Sequence, residues 1–134
     1  MSEPEEEMRK LAYEMSFYRS QAAEMERQTA MVRQLLEENA ATTKALESLH
    51  EISNDTMFSV GSGVFIKGKA TDEKRVLVEI GSRIITEKSV EEAKLLLAEK
   101  KKELSKAAAE LSVSMAEVSR RMEDVEARAS ALQK

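Results

Sequence analysis

The sequence has no cysteine and no tryptophan, and only one proline, Pro4. Without cysteine there is no disulfide framework and no thiolate metal site. Aromatic residues make up 4 % of the chain, too few for an aromatic-rich globular core. Beyond Pro4 no proline breaks a helix, and no glycine occurs before Gly61. No apolar run approaches the ~20 residues that span a bilayer. The acidic start Met1-Ser2-Glu3-Pro4-Glu5-Glu6-Glu7 is unlike a signal peptide. A membrane partner is therefore not expected, and the reducing cytoplasm is the expected location. A net charge of −4 gives no electrostatic case for nucleic acid. The one basic run, Lys100-Lys101-Lys102, lies between Glu99 and Glu103 and reads as a solvated helix face.

Enzyme chemistry has little to build on. His50 is the only histidine, and alone it makes neither a triad nor a metal site. Gly61-Ser62-Gly63 matches neither the P-loop nor the dinucleotide fingerprint, so it reads as a turn. Glu5-Glu6-Glu7 lacks the glycine and spacing of a calcium loop and suits a helix start instead. No catalytic residue, no cofactor and no metal are expected.

What the chain does have is charge, at 34 %, and a long helical period. Met8, Leu11, Met15, Tyr18, Ala22, Met25, Thr29, Val32, Leu36, Asn39, Thr43 and Leu46 recur at alternating steps of three and four. That spacing is the seam of a coiled coil. Its polar members weaken it locally and fix register. A second seam runs through Val90, Ala93 and Leu97, past a weak layer at Lys100 and Lys101. It continues through Leu104, Ala108, Leu111, Met115, Val118, Met122, Val125, Ala129 and Leu132. Ser89-Val90-Glu91-Glu92 reads as the capping box that starts it. The seams match in length, at about 65 Å each by helical rise, so the helices are expected to fold back on each other. Paired positions then sum to about 140. This sets Leu36 against Leu104, Val32 against Ala108, Met25 against Met115, Tyr18 against Met122, Met15 against Val125 and Met8 against Leu132.

Between the helices the period changes to two. Thr56, Phe58 and Val60 alternate with Met57 and Ser59, and Val64 and Ile66 alternate with Phe65 and Lys67. That second segment is expected to run to Lys69 or Ala70. Thr71-Asp72-Glu73-Lys74 is a polar turn. Arg75–Ile80 is rich in β-branched residues and reads as a third strand, and Arg83–Glu87 reads as a fourth across Gly81-Ser82. The expected fold class is mainly α: a long antiparallel two-helix coiled-coil hairpin with two small β-hairpins between the helices. It forms a single chain-long domain, 1–134, with a first helix over 5–52, a β region over 53–88 and a second helix over 89–134. Four short strands cannot enclose a core and leave their edges open. The β region is therefore expected to assemble with other chains. Phe58, Val60, Val64, Ile66, Val76, Val78, Ile80 and Ile84 are the expected interface.

Three stretches carry a resemblance: Val60-Gly61-Ser62-Gly63-Val64-Phe65-Ile66-Lys67, Val76-Leu77-Val78-Glu79-Ile80-Gly81, and Glu87-Lys88-Ser89-Val90-Glu91-Glu92-Ala93. In order and spacing they resemble the α class of archaeal prefoldin, the two-hairpin class. The resemblance implies an ATP-independent chaperone subunit in a hexamer of two α and four β subunits. It implies partners of three kinds: prefoldin β subunits, unfolded client proteins and a group II chaperonin. Clients would be held at the tips of the coiled coils.

At such a tip both chain ends meet. Met8, Leu11, Tyr13, Met15 and Phe17 come from the first helix, and Met122, Val125 and Leu132 from the second. These are the expected client contacts. The methionines are first of all seam residues, although methionine also suits adaptable surfaces. Tyr13 and Phe17 share a helix face off the seam, where local packing is the competing explanation. A structural subunit of a filament or scaffold, and an adaptor for one specific partner, are the alternatives to a chaperone.

Overall fold

The structure is a computed structural model that describes residues 2–53 and 55–133. Residues 1, 54 and 134, which the expected domain includes, lie outside the described residues. The elements follow the order α1 (Glu3–Glu47), a 3₁₀ turn (Leu49–Ser53), β1 (Thr56–Gly61), β2 (Val64–Gly68), β3 (Arg75–Gly81), β4 (Ile84–Ser89) and α2 (Val90–Leu132).

Helix α1 begins earlier than the periodicity suggested. The Ser2 hydroxyl accepts from the Glu5 amide at 3.3 Å, so Ser2 caps the helix and Pro4 sits harmlessly in the first turn. Glu3, Glu5 and Glu6 face the positive end of the helix dipole. The helix also ends sooner, at Glu47 rather than Ile52. There the chain tightens, and the Glu51 amide donates to the Ser48 carbonyl at 2.9 Å.

Helix α2 starts at the expected box. The Glu92 amide donates to the Ser89 hydroxyl at 3.0 Å, and that hydroxyl donates to the Glu92 carboxylate at 3.1 Å. The carboxylate thus meets the side chain of the cap. Ser89 is also the last residue of β4, paired with Arg75, so strand and helix join without a loop. The Val90 amide donates to the Lys74 carbonyl at 2.8 Å, tying the start of the helix to the start of the hairpin.

Two compact units divide the chain: Met1–Leu35 with Leu104–Lys134, and Leu36–Glu103. Each contains stretches of both helices packed on the expected seam. Every seam residue of α1 is buried or half-buried, and so is every one of α2 up to Ala129. In the first unit Leu11, Val118 and Val125 are buried. There Arg128 of α2 donates to the Glu14 carboxylate of α1 at 2.7 Å. The positions sum close to 140, as the antiparallel register requires. Among the described residues of the second unit, Ala93 and Asn39 are buried. The Asn39 amide donates to the Leu97 carbonyl at 2.9 Å.

The second unit also carries the strands, as two separate antiparallel pairs, β1–β2 and β3–β4. Strand β2 stops at Gly68, short of Lys69. A Cβ on Gly68 would stand 3.1 Å from the Phe58 ring, so glycine lets that ring lie across the pair. The two hairpins turn alike. Each has a bulge before its turn, at Ser59/Gly61 and at Glu79/Gly81. Each bulge glycine has positive φ, 109° and 124°. The turn residues are left-handed: Ser62 and Gly63 at 51° and 78°, Ser82 and Arg83 at 47° and 64°. Both central residues at positive φ make a hairpin turn of the I′ kind. Arg83, expected to open the fourth strand, is therefore a turn residue. The Asp72 carboxylate accepts from the Lys74 amide at 2.8 Å, closing the polar turn between the hairpins.

Candidate functional site

The candidate surfaces are apolar and lie in each of the two units. In the first, Tyr13 is 72 % and Phe17 60 % exposed. Both project from α1 off the seam, because the seam positions beside them are taken by Leu11, Met15 and Tyr18. The Phe17 ring meets the Tyr18 ring edge-on, with centroids 5.7 Å apart. Phe17 is thus steadied by a half-buried seam residue and keeps most of its surface in water.

The remaining expected contacts of this unit differ in access. Met8, Met15 and Met122 are half-buried in the seam. Leu11 and Val125 are each only 2 % exposed, so they touch another molecule only when the helix ends fray. Leu132 is 37 % exposed. Sequence reasoning missed Met31 and Leu35, two exposed apolar residues four apart on α1, and Val113 on α2. The signal for Met31 and Leu35 was the one that singled out Tyr13 and Phe17: apolar residues off the seam at i, i+4 spacing.

Around these apolar patches the helix surface is laced with charge. Arg27 and Gln28 hydrogen-bond the Glu24 carboxylate and hold it below its ordinary range. Arg120 and Arg121 do the same for Glu117. Tyr18 across the helix pair, and then Glu117 on the same helix, raise Arg121, and Glu14 across the pair raises Arg128. These hydrogen bonds favour the charged forms of Glu24, Glu117, Arg121 and Arg128. They give the arm a solvated face against which its few apolar residues stand out.

In the second unit the β-hairpins expose most of their side chains. Of the expected interface residues, Phe58, Val60, Val64, Ile66, Ile80 and Ile84 are exposed, and Val76 and Val78 half-buried. The cross-strand register puts Phe58 opposite Ile66 on one face. It leaves Met57 and Phe65 on the other, and both are exposed as well. In the second hairpin Leu77 and Ile85 do the same opposite Val76 and Val78, with Leu77 at 74 % exposure. The sequence reading named one face of each hairpin, and both faces carry exposed apolar side chains.

A groove lies beside the second hairpin. Strand β3 from Val76 to Gly81 forms one wall, and Leu46, Ala93 and Leu97 lie among the helical residues that form the rest. His50 is exposed, with Glu51 at 3.9 Å. Among the described residues no group of His, Cys, Asp or Glu side chains could hold a metal ion. No helix in the described residues is long and apolar enough to cross a membrane.

Comparison with known proteins gives a consistent result. The family model described as prefoldin subunit matches residues 18–134. The chain is 33 % identical over 103 residues to a prefoldin subunit alpha of Methanobrevibacter smithii, covering 76 % of this chain and 70 % of that one. It is 31 % identical over 98 residues to the prefoldin subunit alpha of Thermofilum pendens, covering 72 % and 76 %. Among solved structures, a filamentous prefoldin from Methanocaldococcus jannaschii matches with a TM-score of 0.51 at 26 % identity, over 92 % of this chain and 98 % of that one. Two helices with two antiparallel hairpins between them, a family match over most of the length and these alpha-subunit relatives lead to one assignment: the chain belongs to the prefoldin family of chaperone subunits and resembles its archaeal α class.

Proposed function

We propose that the chain holds unfolded proteins at the apolar end of its coiled coil that carries both termini. It does so without nucleotide, and it passes its clients to a group II chaperonin. In this reading it works in the cytoplasm, in a hexamer of two such subunits and four β-class subunits. The hairpins supply the assembly surface. The observation that carries client holding is the pair Tyr13 and Phe17, large aromatics held in water on an otherwise polar helix face. Neither lies on the seam, and most of each side chain stays in water. The half-buried methionines and the frayable Leu11, Val125 and Leu132 extend the same surface.

The magnitudes suit a chaperone. One tip buries roughly 200–300 Å² of apolar surface against a client, worth a few kcal/mol at ~25 cal/mol per Å². A single arm therefore binds weakly, and several arms acting on one client bind by avidity and still release it. The test is Tyr13→Ser with Phe17→Ser. Helicity and oligomer mass should stay unchanged, while the apparent affinity for a denatured client falls by about tenfold or more. Undiminished suppression of client aggregation by the double variant places the client surface elsewhere.

A filament subunit is the second reading. It is favoured by the match to the filamentous prefoldin of Methanocaldococcus jannaschii over nearly the whole chain. Electron microscopy of the purified chain, with and without a β-class partner, separates the two assemblies.

A further inference from the structure

Methionine is spread unevenly through the chain. Of the eight methionines, five stand on the seam of the first unit: Met8, Met15, Met25, Met115 and Met122. The seam residues of the second unit, Leu36 to Leu46 and Val90 to Leu97, include none. A seam does not need methionine, because leucine fills the same position and specifies it better. The five share one degree of burial: each is half-buried. They contribute to the seam and are still within reach of water. Met115 also lines an open hollow with Thr29, Ala30 and Leu111, which gives a path to its side chain. Their seam neighbours are the closed residues. Leu11 lies between Met8 and Met15 along α1, Val118 lies between Met115 and Met122 along α2, and Val125 follows Met122. The chain has no cysteine, so its thioethers are its only sulfur atoms and the groups that a peroxide attacks first.

We propose that the five seam methionines are a site of reversible oxidation that opens the helix pair in this unit. The oxidant is hydrogen peroxide or an organic hydroperoxide. The thioether sulfur attacks the terminal hydroxyl oxygen of the peroxide, so an S–O bond forms and the O–O bond breaks. Sulfur gives up two electrons. The departing oxygen takes the hydroxyl proton and leaves as water or as an alcohol. The product, methionine sulfoxide, is polar and chiral where the seam needs an apolar side chain. Burying its oxygen beside Leu11, Val118 or Val125 costs free energy, so the layers part instead. Opening uncovers those three residues, which the closed seam holds at 2 %, 5 % and 2 % exposure. Under the client-holding reading, on which this consequence rests, the opened arm offers more apolar surface to an unfolded protein. Met31 and Met57 are 64 % and 69 % exposed and off the seam. Their sulfoxides meet water and leave the arm closed.

The full-length chain is treated with hydrogen peroxide, and peptide mapping should place sulfoxide on all five seam methionines. The thermal midpoint should fall by about 10 °C or more, and hydrogen exchange should rise over residues 8–25 and 115–125. Methionine sulfoxide reductases for both epimers, with dithiothreitol, should reverse both changes; without cysteine the chain has no disulfide for the thiol to break. The variant Met8→Leu, Met15→Leu, Met25→Leu, Met115→Leu, Met122→Leu conserves seam volume and should fold. Peroxide should leave its midpoint unchanged while Met31 and Met57 still oxidise. The complementary variant, Met31→Leu with Met57→Leu, should open on oxidation as the parent does. Seam methionines that resist peroxide in the folded chain overturn the proposal. So does an oxidised parent with its midpoint intact, or a fivefold leucine variant that loses as much as the parent. Client affinity separates this inference from the reading it builds on. The oxidised parent should hold a denatured client about threefold more tightly. Opening without that gain overturns client holding at this surface and leaves the oxidation site standing.

Discussion

Asn39 is the buried polar residue of the coiled coil, at 7 % exposure. Its amide donates to the Leu97 carbonyl across the helix pair, so its desolvation is offset by one directed bond. The same layer of α2 has Lys100 and Lys101 where a seam would have an apolar side chain. A polar seam residue lowers stability and fixes which registers are allowed. Asn39→Leu should therefore raise the thermal midpoint, by a gain of about 1 kcal/mol. It should also admit alternative pairings of the helices. Thermal melts followed by circular dichroism check the first effect. Native mass spectrometry checks the second, as species absent from the parent chain. A lower midpoint would show that the Asn39–Leu97 bond contributes more than the apolar contact that replaces it.

At the scale of elements, the helices were legible because burial itself writes the three-and-four spacing. Met8 to Leu46 and Val90 to Ala129 are the residues that the structure removes from water, fully or in part. Helix ends were less legible. No glycine or proline marks the stop after Glu47, and the change to a 3₁₀ turn leaves no compositional trace. The cap at Ser2 lies ahead of the first seam residue, Met8, so the periodicity does not mark it, and Pro4 fits the first turn. Arg83 was read as strand because arginine rarely takes positive φ; the bulge at Gly81 shifts the turn by one residue and imposes it. The exposed apolar residues of the arm were half legible. Off-seam aromatics announce themselves in a helical pattern, whereas the access of Leu11 or Val125 depends on fraying that spacing does not encode. The helix register gives a direct test. Met25 and Met115 are half-buried seam residues of one unit, and Thr29 and Leu111 line a shared hollow beside Met115. Met25→Cys with Met115→Cys should form an intramolecular disulfide in high yield under mild oxidation. A pair displaced by one heptad should not. Mass and gel mobility distinguish the two, and efficient closure of the displaced pair would mean another register.

At the scale of the molecule, helices and hairpins spend their apolar residues differently. The helices bury their seam residues within the chain. The hairpins do not: Met57, Val60, Phe65, Ile66, Leu77, Ile80 and Ile85 all remain exposed. Two-stranded pairs of this size are marginal by themselves, and exposed apolar patches of this extent mark an interaction surface. In the proposed assembly, burial between chains at ~25 cal/mol per Å² supplies a large part of the free energy that orders the β region. If the hairpins are the assembly surface, as proposed, assembly and hairpin order are coupled, and the helices are expected to hold without either. Replacing residues 56–87 by a short flexible linker should leave a helical monomer, because both seams and the Glu14–Arg128 bridge survive the deletion. The parent chain, or its complex with a β-class subunit, should run as an oligomer whose thermal midpoint rises with concentration, as mass action requires. That dependence should vanish in the deletion variant. Analytical ultracentrifugation gives the mass and melts at several concentrations give the coupling. An oligomer of unchanged size after deletion would shift assembly from the strands to the coiled coil. Exposed Met31, Leu35 and Val113 are then the residues to mutate next.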